Sequence, residues 1–253
     1  MIITKTSRVV LPVVALLLLG LASPPPTAQQ PFNGIDLKVS QEISGTRLLI
    51  ERFAGTLTIN TVDSYDKLTL TATGKEDELK KLEVIGNEEG EVEVGCNGKI
   101  SNSTLALTIT MPKQMPLSVH INSGKAVLAD HAGPVKLVID GSGIITAGTL
   151  GGELESRING NGDIAIANID STTRTTTLSP LKLSIHGSGS IAIKELNHED
   201  IKATIDGAGT IILGGTVRDG DCTINGTGRI EIAKVAGVLN QSINGSGVVI
   251  VGK

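Results

Sequence analysis

The chain of 253 residues carries 31 glycines but only two phenylalanines, one tyrosine and no tryptophan, so a core must be built in thin layers from Ile, Val, Leu and Ala. Its 22 basic residues against 26 acidic ones lack the electropositive footprint of a nucleic-acid binder, and the shortage of aromatics leaves no platform for stacked bases. With 40% apolar and 19% charged residues, the composition also excludes a disordered chain.

At the start, Lys5 and Arg8 precede the apolar run Val9 to Ala22, which is too short and wrongly flanked for a transmembrane helix. Residues 1–28 are expected to be a signal peptide cleaved after Ala28, with no cysteine to carry a lipid anchor and no transmembrane anchor elsewhere. The mature protein is expected to be exported, in the periplasm or at the cell surface.

An N-terminal β region is expected over residues 29–120, with strands at 35–39, 47–51, 56–59, 67–72, 91–94 and 105–110. The charged run 75–82 reads as a helical turn or a solvated loop. From there to Glu93 the chain holds Glu76, Asp77, Glu78, Glu83, Glu88, Glu89, Glu91 and Glu93. A solvated face is favoured over a cation site, because neighbouring surface acids repel one another.

Internal repetition dominates residues 121–253. The pattern Ile-[Asn/Asp/His]-Gly-x-Gly-x-[Ile/Val] begins at Ile139, Ile158, Ile185, Ile205, Ile224 and Ile243, with a degenerate copy at Ile121. The spacing is about 19 residues, with one insertion of about eight residues before Ile185. Within each copy the apolar and glycine positions share one parity, which is the period of a strand. The structural positions are the paired glycines Gly141 and Gly143, Gly160 and Gly162, Gly187 and Gly189, Gly207 and Gly209, Gly226 and Gly228, Gly245 and Gly247. Glycine there removes side chains where the chain must bend or where backbones approach closely.

Asn-Gly between alternating apolar residues is also a hairpin signal, so an antiparallel β meander is the competing topology. The sameness of the copies favours a parallel β-helix-like solenoid, in which Ile stacks on Ile and Gly on Gly. Stacking would align Asp140, Asn159, His186, Asp206, Asn225 and Asn244 into a ladder of hydrogen-bonding side chains. Residues 29–253 are expected to form one continuous domain.

The reiterated Ile-Asn-Gly-x-Gly motif, following LTLTATG (68–74) and LALTITMP (105–112), resembles the putative auto-transporter adhesin head GIN domain family, DUF2807. The resemblance extends from about Phe32 onward and implies a parallel β-helix-like fold in exported bacterial proteins. It carries the adhesin name, although no translocating barrel is expected after Lys253.

No catalytic residue, cofactor or metal ion is expected. Asp163, Asp206 and Glu231 are the carboxylates a polysaccharide lyase or hydrolase would need, but they fall in no shared motif. Gly160-Asn161-Gly162-Asp163 is similar to a calcium β-roll turn, yet the place of Asp163 is taken elsewhere by Ile144, Ser190, Thr210, Arg229 and Val248. Cys96 and Cys222 read as two separate buried thiols rather than a disulfide. The function expected is therefore a non-enzymatic binding module for a glycan or protein ligand of the cell surface or envelope, with a structural scaffold as the alternative. The insertion Asp170 to Lys182 is a candidate ligand loop. The uncharged run Val248 to Val251 is a candidate edge for a homo-oligomer or for the folded-back N-terminal region.

Overall fold

The structure, a computed structural model, describes residues 9–12, 37–63, 67–86, 89–96, 104–170 and 179–252. Of the leader expected over residues 1–28, only strand β1 (Val9–Pro12) is described.

The next elements are β2 (Leu37–Ser44), β3 (Arg47–Val62), β4 (Lys67–Gly74), the helical turn α1 (Glu76–Leu79), β5 (Leu82–Gly86), β6 (Glu91–Cys96), β7 (Ala106–Pro112) and β8 (Leu117–Leu128). β5 escaped the sequence reading because it is only five residues long, although Leu82 and Val84 alternate with Glu83 and are buried. β8 runs unbroken across residues 120 and 121.

The repeats then give β9 (Val135–Gly141), β10 (Ile144–Leu150), β11 (Leu154–Gly160), β12 (Asp163–Ile169), β13 (Leu181–Gly187), β14 (Ser190–Gly207), β15 (Thr210–Gly226), β16 (Arg229–Val235), β17 (Leu239–Gly245) and β18 (Val248–Val251). Each repeat is one coil, with a strand on a first face, a Gly-x-Gly corner and a strand on a second face. The first halves of β3 and β8 stack in parallel with β9, β11, β13, the second halves of β14 and β15, and β17. Their second halves stack with β10, β12, the first halves of β14 and β15, β16 and β18. Eight coils thus run from β3 to β18, all parallel, and the antiparallel meander does not occur among the repeats. The fold is the β-helix-like solenoid that the repetition implied.

Alternation decides what enters the core. Ile139, Ile158, Ile185, Ile205 and Ile224 form one buried inward row, and Ile145, Ile164, Ile191, Ile211 and Ile230 form the row facing it. No aromatic residue is needed, because the two sheets are close enough for branched aliphatic side chains to fill the gap.

The two corner glycines serve different ends. The first has positive φ in every strong copy, from Gly141 at 135° to Gly245 at 128°. A Cβ on Gly207 would collide with the carbonyl oxygen of Gly187 in the coil below. The second glycine makes room for a side chain: a Cβ on Gly209 would lie 2.6 Å from Cγ2 of Ile185.

At the N-terminal end the pattern changes. β6 and β7 stack on β3 in parallel, but β6 also pairs antiparallel with β5, and β7 with β4. β4 then pairs antiparallel with β2, and β5 with β1. The acidic stretch packs against this end. Glu78 is buried and accepts hydrogen bonds from the backbone N–H (3.0 Å) and hydroxyl (2.6 Å) of Thr104, so it departs from the solvated face expected of its neighbours.

Cys96 and Cys222 are free, and burial pushes both thiols up to about 11. Seven strand steps of ~4.8 Å separate β6 from the half of β15 that holds Cys222, which no disulfide can span.

His131, in the turn after β8, is buried in this apolar setting, and neither ring nitrogen has a hydrogen-bond partner among the described residues. Desolvation lowers its pKa to about 4, partly offset by the backbone at Met115 and helped by a smaller push from Lys113.

Two outcomes follow from this packing. Gly207→Val should lower the unfolding free energy by roughly 1–3 kcal/mol in urea titrations, since a branched residue must adopt positive φ against a carbonyl. The depressed pKa of His131 means that the unfolded chain binds a proton at about pH 6.5 while the folded chain resists until about pH 4. The stabilisation is therefore complete above about pH 6.5 and is lost as the pH falls toward 4, a change of order 3 kcal/mol. Urea midpoints at pH 7.5 and 4.5 should differ less in His131→Leu than in the native protein.

Candidate functional site

Function is left to the outward positions, and on the first face these are polar apart from Leu49 and Val138. Asp140, Asn159, His186, Asp206, Asn225 and Asn244 are consecutive register partners beside the glycine corner. Asn159 donates to Asp140 at 2.5 Å, Asn225 donates to Asp206 at 2.7 Å, and His186 lies 3.2 Å from Asp206. Below them, His120 bridges Glu51 (3.3 Å) and Asp140 (2.7 Å). The amide of Asn159, and then His120, holds the Asp140 carboxyl below the usual carboxylate range.

Four residues nearer the strand start, the register runs Ser118, Lys136, Glu155, Lys182, Lys202, Asp221 and Asn240. Lys136 and Glu155 form an ion pair at 3.0 Å, and Asn240 donates to Asp221 at 2.9 Å.

Where these strands begin, a groove of about 320 Å³ crosses coils one to five. Pro116, Pro134 and Pro180 each precede a first-face strand and shape its wall, since proline fixes φ at a point where the chain turns into the sheet. Arg47, Lys136 and Lys182 bring positive charge to the groove, and Glu153 and Glu155 bring negative charge. The hydroxyl of Ser179 donates to Glu153 at 3.1 Å, tying the returning end of the insertion to the groove. Residues 171–178 of that insertion lie outside the described residues. The expected boundary at Lys182 is corrected, because Leu181 is fully buried and both Leu181 and Lys182 belong to β13.

The sequence reading missed this groove, because its charged residues lie in four coils and only stacking joins them. A recurring X-Pro-[Leu/Val] at the start of β8, β9 and β13 was the available signal. It also missed a second row of carboxylates at the opposite corner. Asp130 accepts from the N–H of Thr149 (2.7 Å), Asp200 from that of Asp219 (3.2 Å), and Asp219 from that of Val238 (2.7 Å). Arg218 clamps Asp200 through two nitrogens, at 2.7 and 2.5 Å, and holds its carboxyl low. The 19-residue spacing of Asp200 and Asp219 was the trace of it.

The carboxylates weighed for catalysis stand apart. Asp206 is on the first face, whereas Asp163 and Glu231 are on the second, at opposite ends of a stack of coils, with Glu231 paired to Arg229. No group of three or more His, Cys, Asp or Glu residues is arranged to hold a metal ion among the described residues.

No curated protein matches the chain. Among solved structures, a putative adhesin from Parabacteroides distasonis ATCC 8503 is 16% identical with a TM-score of 0.52, and the match covers 86% of this chain and 98% of that one. A putative adhesin from Bacteroides fragilis NCTC 9343 is 13% identical with a TM-score of 0.52, covering 85% and 97%. A putative lipid binding protein from P. distasonis ATCC 8503 is 16% identical with a TM-score of 0.50, covering 87% and 98%. At such identities these likenesses establish the fold.

If the ladder contributes to stability, Asp206→Ala, which removes the partner of both Asn225 and His186, should lower the thermal midpoint by a few degrees, on the order of 1 kcal/mol. Calorimetry would check this. Four of the six strong copies of the motif that suggested a family, those at Ile185, Ile205, Ile224 and Ile243, lie within the segment that a family model recognises: residues 166–252, from the middle of β12 through β18, match DUF2807, the putative auto-transporter adhesin, head GIN domain.

Proposed function

We propose that the protein is an exported, non-enzymatic binding module of adhesin type, and that the groove over coils one to five is where it meets a ligand of the cell surface or envelope. The observation that carries this reading is the convergence of Arg47, Lys136, Lys182, Glu153 and Glu155 at one groove, beside a polar sheet face. Charges of both signs spaced by stacked strands suit an extended ligand that itself carries both signs, such as a protein segment or the stem peptide of peptidoglycan. A neutral glycan fits less well, because the repeats from Ile121 onward contain no aromatic ring to stack on a sugar. The expected leader over residues 1–28 and the family's auto-transporter adhesin description support export. No helix among the described residues is long and apolar enough to cross a membrane.

Purified protein should be retained by peptidoglycan or by a peptide array, with binding weakened as salt rises toward 0.5 M, since an exposed charged groove is screened. Lys136→Glu with Lys182→Glu should reduce that binding about tenfold or more, measured by pull-down and fluorescence titration, while the circular dichroism spectrum stays unchanged. Binding to neutral glycans or lipid vesicles alone, or binding indifferent to the charge reversal, would move the site elsewhere. No binding to any arm would leave the scaffold role.

A further inference from the structure

At the foot of one aliphatic column stands a histidine. His131 bridges Leu150 of the next coil, Leu150 pairs with Ile169, and Ile169 pairs with Leu196; all four are buried. His131 is 1% exposed, and neither ring nitrogen has a hydrogen-bond partner among the described residues. A buried imidazole without partners costs stability that an aliphatic side chain at the same place would not.

The ring lies under a strap, residues 129–134, that carries the chain from β8 into β9. The strap is fastened on two sides. The N–H of His131 donates to Thr149 and its carbonyl accepts from Gly151, both at 2.8 Å, while the N–H groups of Ala132 and Gly133 donate to the carbonyl of Lys113, at 2.9 and 3.1 Å. Gly133 closes over the ring, since a Cβ there would lie 3.1 Å from Nε2 and would collide with the carbonyl of Gln114. The strap ends at Pro134, which forms part of the groove wall and whose carbonyl accepts from the N–H of Leu117 at 2.9 Å.

No counter-charge awaits a protonated ring. The charged residues on the segments packed around the strap are Asp63, Lys113, Asp130 and Glu153. Lys113 repels a second positive charge. Asp130 is taken by the N–H of Thr149 (2.7 Å) and Glu153 by the hydroxyl of Ser179 (3.1 Å), and Asp63 lines a second cavity with Lys113. The backbone at Met115 offsets only part of the burial.

We propose that His131 is an acid-released latch on the groove: when its ring takes up a proton, the strap 129–134 lifts from the coil and draws Pro134 out of the groove wall. A charge buried among aliphatic side chains is relieved most cheaply where the fewest bonds break. The strap hangs on a few backbone hydrogen bonds, whereas the strands on either side are fixed along whole ladders. A freed ring titrates near pH 6.5 and the latched one resists until about pH 4, so release sets in between the two. The groove is therefore held in shape at neutral pH and slack in acid, whatever ligand it takes.

Hydrogen exchange of the full chain, followed by NMR at about pH 7 and about pH 4.5 and corrected for the intrinsic rate at each pH, tests this. Protection of residues 131–133 and of the Leu117 amide should fall about tenfold or more in acid, while β13, β15 and β16 keep theirs. In His131→Leu that fall should disappear, and His131→Met gives the same readout if the leucine variant does not fold. The proposal is overturned if the strap keeps its protection in acid, if strap and later coils lose protection together, if the fall persists in the folded variant, or if the strap opens while Leu117 stays protected. No ligand enters the measurement, so its failure leaves the binding role of the groove standing, and a failure to bind peptidoglycan or peptides leaves the latch standing.

Discussion

The carbonyl oxygen of one corner glycine lies where the Cβ of the next would have to be, and this close approach recurs from Gly141 to Gly245. Only glycine tolerates both that contact and the positive φ of about 130° that turns the chain from one face to the other. Because the corners stack glycine on glycine, the register of everything between them is fixed. A slip of one residue would carry each inward isoleucine to the solvent side and bring an outward Asn or Asp into the core. Repetition of the sequence is thus a consequence of geometry, since each coil is the template for the next.

That constraint divides the residues into two classes. Inward positions of the repeats are held mostly to Ile, Leu, Val and Ala, with Ser156 and Cys222 as exceptions, and the other buried departures, among them Phe53, Glu78, His131 and Glu199, fall in the N-terminal coils or at the corners. Outward positions are free to vary from coil to coil, and variation along a stack makes a surface. The row from Lys136 through Glu155 to Lys182 is one such product, and the groove at its head is assembled from coils that are far apart in the chain. The insertion after Asp170 returns to the described structure at that groove, through Ser179 and Pro180, where a solenoid can accept added residues without disturbing its core.

The two ends of the stack are treated differently. Antiparallel pairing of β4 with β7 and of β5 with β6 closes the N-terminal end, and Glu78 is drawn into the structure there to hold Thr104. The C-terminal end keeps the cross-section of an interior coil, with neutral strands and half-exposed aliphatic side chains.

The sequence by itself determined the repeating unit, its strand period, its glycine corners and the parallel stacking of its copies, because these follow from local alternation and from identical motifs at fixed spacing. It also placed Asp140, Asn159, His186, Asp206, Asn225 and Asn244 at equivalent positions, since each immediately precedes a corner. The tertiary structure alone decided which side chains become neighbours across coils. His120 meeting both Glu51 and Asp140, Arg218 clamping Asp200, and Arg47 sharing a groove with Lys182 depend on β3 and β8 being the first coils of the same solenoid. The degenerate copy at Ile121 announced β8, but no local pattern announces β3, because Arg52 and Phe53 interrupt its corner, where Gly55 takes up the positive φ in place of a Gly-x-Gly pair. The antiparallel closure of the N-terminal end was hidden for a related reason: pairing partners distant in sequence are chosen by which edges the folded stack leaves open, and that choice is made only once the stack exists.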